Sequence, residues 1–331
     1  MRGFSRREIA LGLGAGALGG CATDSGSSII PSIGGPSPKL YFLGQAKVMM
    51  LDPAGGAPLT LVDQSPKGGG RASGVNDGIA VHSKTGQIFW TNMGKAADDD
   101  GYITRCERDG SNLTTIVKPG GAFTPKQMKI DEVAGKIYWS DREGMSIRRC
   151  NLDGSSIETL VVTGDQSLNK GQASHWCVGI ALDPGRGHIY WTQKGGDNAG
   201  EGMIRRCGVR MPAGANANTR ADIETLFSHL PEPIDLDLDL KSRQMYWSDR
   251  GDNTLSRAAM DPKPGYNPAT RFDRTILVKG LKEAIGIALD LPRGRMAYTS
   301  LGGEVGMARL DGSNAKMLAT DLGMLTGICW A

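Results

Sequence analysis

Two short stretches hold the side chains best placed for chemistry, Lys126-Gln127-Met128-Lys129 and Asp235-Leu236-Asp237. In an extended chain, side chains two apart point the same way. Gln127 and Lys129 therefore share one side of their strand, and Asp235 and Asp237 share one side of theirs. Paired carboxylates suit a hard cation such as calcium or magnesium, or an ammonium held opposite them. Further polar groups stand just ahead of similar stretches: Asn76 and Asp77, His175 and Trp176, Glu232, Glu283. No Cys-x-x-Cys or His-x-x-His spacing points to zinc. No Ser-His-Asp pattern or nucleophile elbow is present.

The element that positions these groups is a repeat. Ile88-Phe89-Trp90-Thr91-Asn92 returns as Ile137-Tyr138-Trp139-Ser140-Asp141, Ile189-Tyr190-Trp191-Thr192 and Met245-Tyr246-Trp247-Ser248-Asp249, and weakly as Met296-Ala297-Tyr298-Thr299-Ser300. The Trp column falls at 90, 139, 191, 247 and 298, at intervals of 49, 52, 56 and 51 residues. A near-constant period of this size marks one supersecondary unit stacked on copies of itself. Each unit has a short apolar run ahead of the phrase, as in Gly179-Ile180-Ala181-Leu182-Asp183. A third run follows, ending in turns such as Asp153-Gly154-Ser155, and then a fourth. Four β-runs per unit predict an all-β fold, a β-propeller of four-stranded blades.

Five complete units start near residues 78, 127, 179, 235 and 286. The tail Thr326 to Ala331 matches only a first strand, and residues 40 to 62 match only the last three. Joined, they make a sixth blade that closes the ring and removes the free sheet edge.

The phrase Tyr138-Trp139-Ser140-Asp141, followed by Ile147 to Ser155, resembles the YWTD (class B) repeat of low-density lipoprotein receptors. The resemblance spans residues 40 to 331 and implies a six-bladed propeller, with protein ligands bound on one face. It also implies that the repeated aromatics and the Arg at 105, 149, 206 and 257 are packing residues. The sequence departs from the pattern at Asn92, Gln193, Ser300 and Met307. No cysteine-rich module flanks the propeller, so receptor function is not implied.

Scaffold is needed in every blade, whereas a site is made once, so candidates are departures from the repeat. The channel-lining strands read Gly78, Gln127, Gly179, Asp235, Gly286 and Gly327 at one position, and Ala80, Lys129, Ala181, Asp237, Ala288 and Cys329 two residues on. An isolated charge there would be costly, so Lys129 is expected to pair with Asp237 across the channel, to bind a ligand, or both. The loops leading into these strands share one face, the top, and several are enlarged. The ligand-binding set expected is Asp77, Lys126, Gln127, Lys129, His175, Trp176, Glu232, Asp235, Asp237 and Glu283, with Trp176 ringed by acidic groups and a Lys.

Before the propeller, Ser5-Arg6-Arg7 and the run Ile9 to Gly20 resemble a twin-arginine export signal, and Leu18-Gly19-Gly20-Cys21 resembles a bacterial lipoprotein cleavage box. The expectation is a signal peptide over 1–20, lipidation at Cys21, a tether over 21–39 and the propeller over 40–331. The protein would be exported by the twin-arginine route and anchored facing the periplasm or cell exterior. Formal charge is +3 over 331 residues, and residues 1–20, with three Arg and one Glu, account for two of it. The remaining +1 argues against a nucleic-acid partner. Cys106, Cys150 and Cys207 recur at one strand position and are expected as buried free thiols.

Two functions follow. The first is a monomeric, non-enzymatic binding module for a peptide, protein or glycan at the top face, with no cofactor evident. The alternative is a calcium- or magnesium-dependent hydrolase or lyase. Propellers of the gluconolactonase type hold a cation in the channel, and Asn76, Asp77, Glu232, Asp235 and Asp237 would be the ligands here.

Overall fold

The computed structural model describes residues 38–66, 74–95 and 98–331. The expected signal peptide, Cys21 and most of the expected tether lie outside the described residues.

The first blade holds β1 (Leu40–Gly44), β2 (Lys47–Leu51) and β3 (Leu59–Asp63). The second holds β4 (Asn76–Val81), β5 (Ile88–Asn92), β6 (Gly101–Cys106) and β7 (Thr114–Ala122). The third holds β8 (Pro125–Asp131), β9 (Lys136–Asp141), β10 (Ser146–Asn151) and β11 (Glu158–Val162). The fourth holds β12 (Cys177–Asp183), β13 (His188–Gln193), β14 (Gly202–Gly208) and β15 (Glu224–Leu230). The fifth holds β16 (Pro233–Asp239), β17 (Gln244–Asp249), β18 (Thr254–Ala259) and β19 (Thr275–Val278). The sixth holds β20 (Ala284–Asp290), β21 (Arg295–Ser300), β22 (Val305–Arg309) and β23 (Lys316–Ala319). The last strand, β24 (Leu325–Trp330), returns to the first blade. It pairs antiparallel with β1 in the order β24-β1-β2-β3, in register Leu40↔Trp330 and Phe42↔Ile328. Lys39 and Ala331 extend this pairing through two backbone hydrogen bonds of 2.7 and 3.0 Å. The expected six-bladed ring, closed by its C-terminal strand, is the fold.

Alternation along the phrase explains why the blades stack. Ile137 and Trp139 face the second blade, packing with Phe89, Ile103 and Val117. Tyr138 points the other way, packing with Ile180, Ile189 and Trp191 of the fourth. The same division recurs at each blade junction, so every phrase contributes to two hydrophobic clusters. Trp90, Trp139, Trp191 and Trp247 are completely buried. Cys106, Cys150 and Cys207 sit in these clusters as free thiols, and burial pushes each up to about 12.

The repeated Arg has a local partner. Arg149, Arg206 and Arg257 lie over Tyr138, Tyr190 and Tyr246 at 5.9, 5.8 and 6.0 Å, each directly cross-strand. In the sixth blade the pair is Ala297↔Met307. Two departures that look unrelated in the sequence are therefore one: without the ring, the Arg has nothing to stack on.

Hydroxyls of the phrase stitch blades together at the channel. Thr91 Oγ1 donates to the Lys126 carbonyl at 2.7 Å, Ser140 Oγ to that of Gly179 at 2.8 Å, and Thr192 Oγ1 to that of Ile234 at 2.6 Å. Ser248 and Thr299 do the same to Ile285 and Thr326. This close approach explains the glycines of the inner strands. A Cβ on Gly179 would stand 2.4 Å from the Ile234 carbonyl oxygen, and one on Gly327 would stand 2.3 Å from that of Asp77.

Candidate functional site: the upper mouth of the channel

Two columns of residues meet at the top of the channel. One is the residue just before each glycine-column position: Asp77, Lys126, Val178, Ile234, Ile285 and Thr326. The other is the residue that follows the phrase in five blades: Met93, Arg142, Lys194, Arg250 and Leu301. With Trp176, Asp197, Val75 and Met324 they line a cavity of about 290 Å³.

Strand geometry makes the first column. The glycine position faces the neighbouring strand, and the residue before it is the last to point up into the mouth. Val178, Ile234 and Ile285 form an apolar floor with Leu301 packed against it. The charged members sit on the second and third blades, where Lys126 Nζ donates to Asp77 and lies 3.4 Å from the Met93 sulfur. Burial pulls the Lys126 ammonium below the usual lysine range, and Asp77 opposes this in part. Gln127 lies beneath, giving Nε2 to the Asp77 carboxylate at 3.1 Å and to its carbonyl at 3.2 Å.

The second column supplies cations. Lys194 Nζ and Arg250 both reach the buried Glu232, at 2.5 and 2.6 Å, and both reach the exposed Asp197, at 3.1 and 2.7 Å. Their hydrogen bonds and charges hold the Asp197 carboxyl below the usual range. Arg142 and Lys194 approach the Trp176 ring at 5.1 and 5.8 Å. The expected setting of Trp176 is thereby corrected: cations lie over its ring, and Glu232 is buried in pairs with Lys194 and Arg250. The non-repeating column Met93, Arg142, Lys194, Arg250, Leu301 was the available signal for these residues, and sequence reasoning missed it.

The other expected residues are placed elsewhere. His175 does not line the mouth; its Nδ1 is engaged by the Thr163 carbonyl. Glu283 also lies outside it, on a turn with φ of 58° whose N–H donates to Asn253 Oδ1 at 2.8 Å. Asp235 and Asp237 are deeper in the channel and clasp the sixth blade. Asp235 Oδ2 accepts from Ile287 N at 3.1 Å, and Asp237 Oδ2 from Leu289 N at 3.0 Å. Lys129 does reach across the channel to Asp237, at 3.5 Å. Burial alone would lower the Lys129 ammonium, but the charges of Asp237 and Asp235 outweigh it and raise it. The Asp235 carboxyl is pushed up to about 7 by burial, against the pull of Lys129.

The five oxygen donors proposed for a cation do not converge. Asn76 Oδ1 accepts from Asn92 at 2.9 Å, Asp77 is held by Lys126, Glu232 by Lys194 and Arg250, and Asp235 and Asp237 by backbone N–H groups. Among the described residues, no three His, Cys, Asp or Glu side chains are grouped to hold a metal ion.

The chain is 35% identical over 313 residues to low-density lipoprotein receptor-related protein 1 of Pyricularia oryzae, a match covering 88% of this chain and 98% of that protein. The chain belongs to the YWTD-repeat family of six-bladed propellers. This YWTD propeller is also 38% identical over 252 residues to the 3-hydroxyacyl-CoA dehydrogenase-like protein LAM1 of Cochliobolus heterostrophus, over 73% of this chain and 53% of that one. Among solved structures it resembles a chain of a nidogen–laminin complex, with a TM-score of 0.65 at 21% identity, over 89% of this chain and 98% of that one. That likeness is one of fold. No family model matches the chain.

Proposed function

We infer that this YWTD propeller is a binding module rather than an enzyme, and that its upper mouth takes a segment of a peptide or protein. The observation that carries this reading is the mouth itself. The apolar floor of Val178, Ile234 and Ile285 lies below a rim of Trp176, Arg142, Lys194 and Arg250. An apolar floor beneath an aromatic and arginines has the composition of an interface hot spot. The receptor-related name of the fungal relative and the nidogen–laminin complex support a protein partner. The dehydrogenase-like name is not carried across: the six described sheets are antiparallel, and a dinucleotide site of the usual kind needs a parallel βαβ unit.

The carboxylates that a hydrolytic cation would need already serve protein cations and amides, so the metal-dependent reading is not favoured. The twin-arginine-like and lipoprotein-like start is part of the same proposal, an anchored module displayed outside the cytoplasm. Replacing Cys21 with Ser should release it from the membrane fraction.

The test is to pan a displayed random-peptide library on the purified chain. Enriched peptides should lose binding to Leu301→Asp at the mouth and keep it with Val133→Asp on the opposite face. Equal binding to both variants would contradict the proposed site.

A further inference from the structure

We propose that a basic cavity on the sixth blade binds a phosphate monoester group, carried by a small molecule or by a phospholipid headgroup. The cavity, of about 300 Å³, is lined by four cations, Arg293, Arg295, Arg309 and Lys316. Asn314, Met307 and Ala308 complete its wall, and among the described residues no carboxylate lines it. It lies where β20 turns into β21 and β22 into β23, at the end of the blade away from the channel mouth.

Strand register gathers these cations. Arg295 stands directly opposite Arg309, and Met307 directly opposite Lys316. Cross-strand partners, and residues two apart on a strand, share one face of a sheet. Arg295, Met307, Arg309 and Lys316 therefore stand on one face of the blade.

The other blades fill the same positions differently. Where the sixth has Arg295 and Arg309, the first has the ion pair Lys39–Asp52. The second has Gln87 and Glu107, hydrogen bonded at 3.1 Å, and the third has Lys136 and Asn151, at 2.7 Å. The fourth and fifth pair His188 with Gly208 and Gln244 with Ala259. Where the sixth has Lys316, the third and fourth carry Glu158 and Glu224, each 2.7 Å from the stacking Arg149 or Arg206. Of these six blades, only the sixth sets Arg opposite Arg and puts Lys in place of the acid. Like charges directly opposite each other are unfavourable, and an anion bound between them removes that cost.

The acids nearby are already engaged. Asp290 accepts from Arg295 Nε at 2.7 Å and lies 3.6 Å from Arg293, so one carboxylate serves two guanidiniums. Asp52 on the adjoining first blade is held by Lys39, and Asp311 accepts from Ser313 N and Oγ at 2.9 and 2.6 Å. Among the described residues, Arg309 and Lys316 make no ion pair. Arg295 is held in place as well: its guanidinium lies 4.5 Å from the centre of the Trp330 ring, whose Nε1 donates to the Ala288 carbonyl at 3.1 Å. A planar guanidinium fixed in this way suits the oxygens of a phosphate. A carboxylate brings one charge on two oxygens. A phosphate monoester brings nearly two charges on three, and so meets more of these donors.

The test titrates the full chain with glycerol 3-phosphate by calorimetry. Lys316→Glu places here the acid that the third and fourth blades carry. It should weaken binding at least tenfold at an unchanged melting temperature, and Arg309→Gln should weaken it at least threefold. Lys241→Glu, a charge reversal at an exposed site on the fifth blade, should bind within twofold of the natural chain. Acetate at equal ionic strength should not compete. A second arm sediments the chain with phosphatidylcholine vesicles, with and without phosphatidic acid. Binding that needs phosphatidic acid and is lost in Lys316→Glu, without binding of the free ester, would assign the group to a lipid headgroup. Binding of the free ester alone would assign it to a soluble ligand. Neither probe binding, an equal loss in Lys241→Glu, or competition by acetate would overturn the inference.

Discussion

Thr326 Oγ1 donates to the carbonyl of Asn76 at 2.8 Å, joining the last strand of the chain to the second blade. The first blade has Leu43 where the others carry a phrase Ser or Thr, so this hydroxyl comes from the inner strand instead. Thr326→Val should cost about 1 kcal/mol, the usual net worth of one hydrogen bond. Deleting residues 326–331 should prevent stable folding, because it exposes β1 and the core around Phe42 and Leu40. Urea denaturation separates the two effects: a small shift in midpoint for the first, no cooperative transition for the second.

Asp235 should make the fold less stable as pH rises. Its folded carboxyl is pushed up to about 7 by burial, whereas the unfolded chain titrates near 3.8. The native state holds the proton more tightly, so this contribution is full below pH 4 and is lost as pH climbs to about 7. Lys129 and Asp237 are the charged groups that face it. Asp235→Asn should flatten the fall in stability between pH 4.5 and 7.5 by on the order of 3 kcal/mol. Matched urea titrations at the two pH values read this directly.

The Lys129–Asp237 pair is expected to be structural. Removing one partner leaves a largely buried charge facing the channel, so Lys129→Met should destabilise by about 2–3 kcal/mol. Lys129→Met combined with Asp237→Asn should recover most of that loss. A double variant as unstable as the single one would contradict the pairing.

Gly179 tests the close approach of inner strands. Gly179→Ala places a methyl 2.4 Å from the Ile234 oxygen, which the strand cannot relieve by rotating a side chain. Destabilisation of about 3 kcal/mol or more is expected, seen as a lowered melting temperature with the β circular-dichroism signal retained at low temperature.

The fold was legible because each blade restates one solution. The alternation of Ile137, Tyr138 and Trp139 encodes both neighbours of the third blade, and it recurs in phase. The mouth was only half legible. Asp77 and Lys126 were found because they lead directly into the column of inner-strand positions, at Gly78 and Gln127. Arg142, Lys194 and Arg250 were not, since each directly follows a conspicuous phrase and stands outside the repeated pattern. Ion pairs such as Lys194–Glu232, 38 residues apart, arise from ring closure and have no local signature. His175 and Trp176 look equivalent in sequence, but the turn Ala173–His175 sends one ring into the loop and the other to the mouth.

The central claim is that a peptide segment binds around Trp176. The most direct measurement is calorimetric titration of a library-selected peptide into the chain and into Trp176→Ala, with melting temperatures taken alongside. Binding should weaken by at least 2 kcal/mol, about thirtyfold, as for a central aromatic anchor, with the melting temperature nearly unchanged. Equal affinity for the two proteins would contradict it.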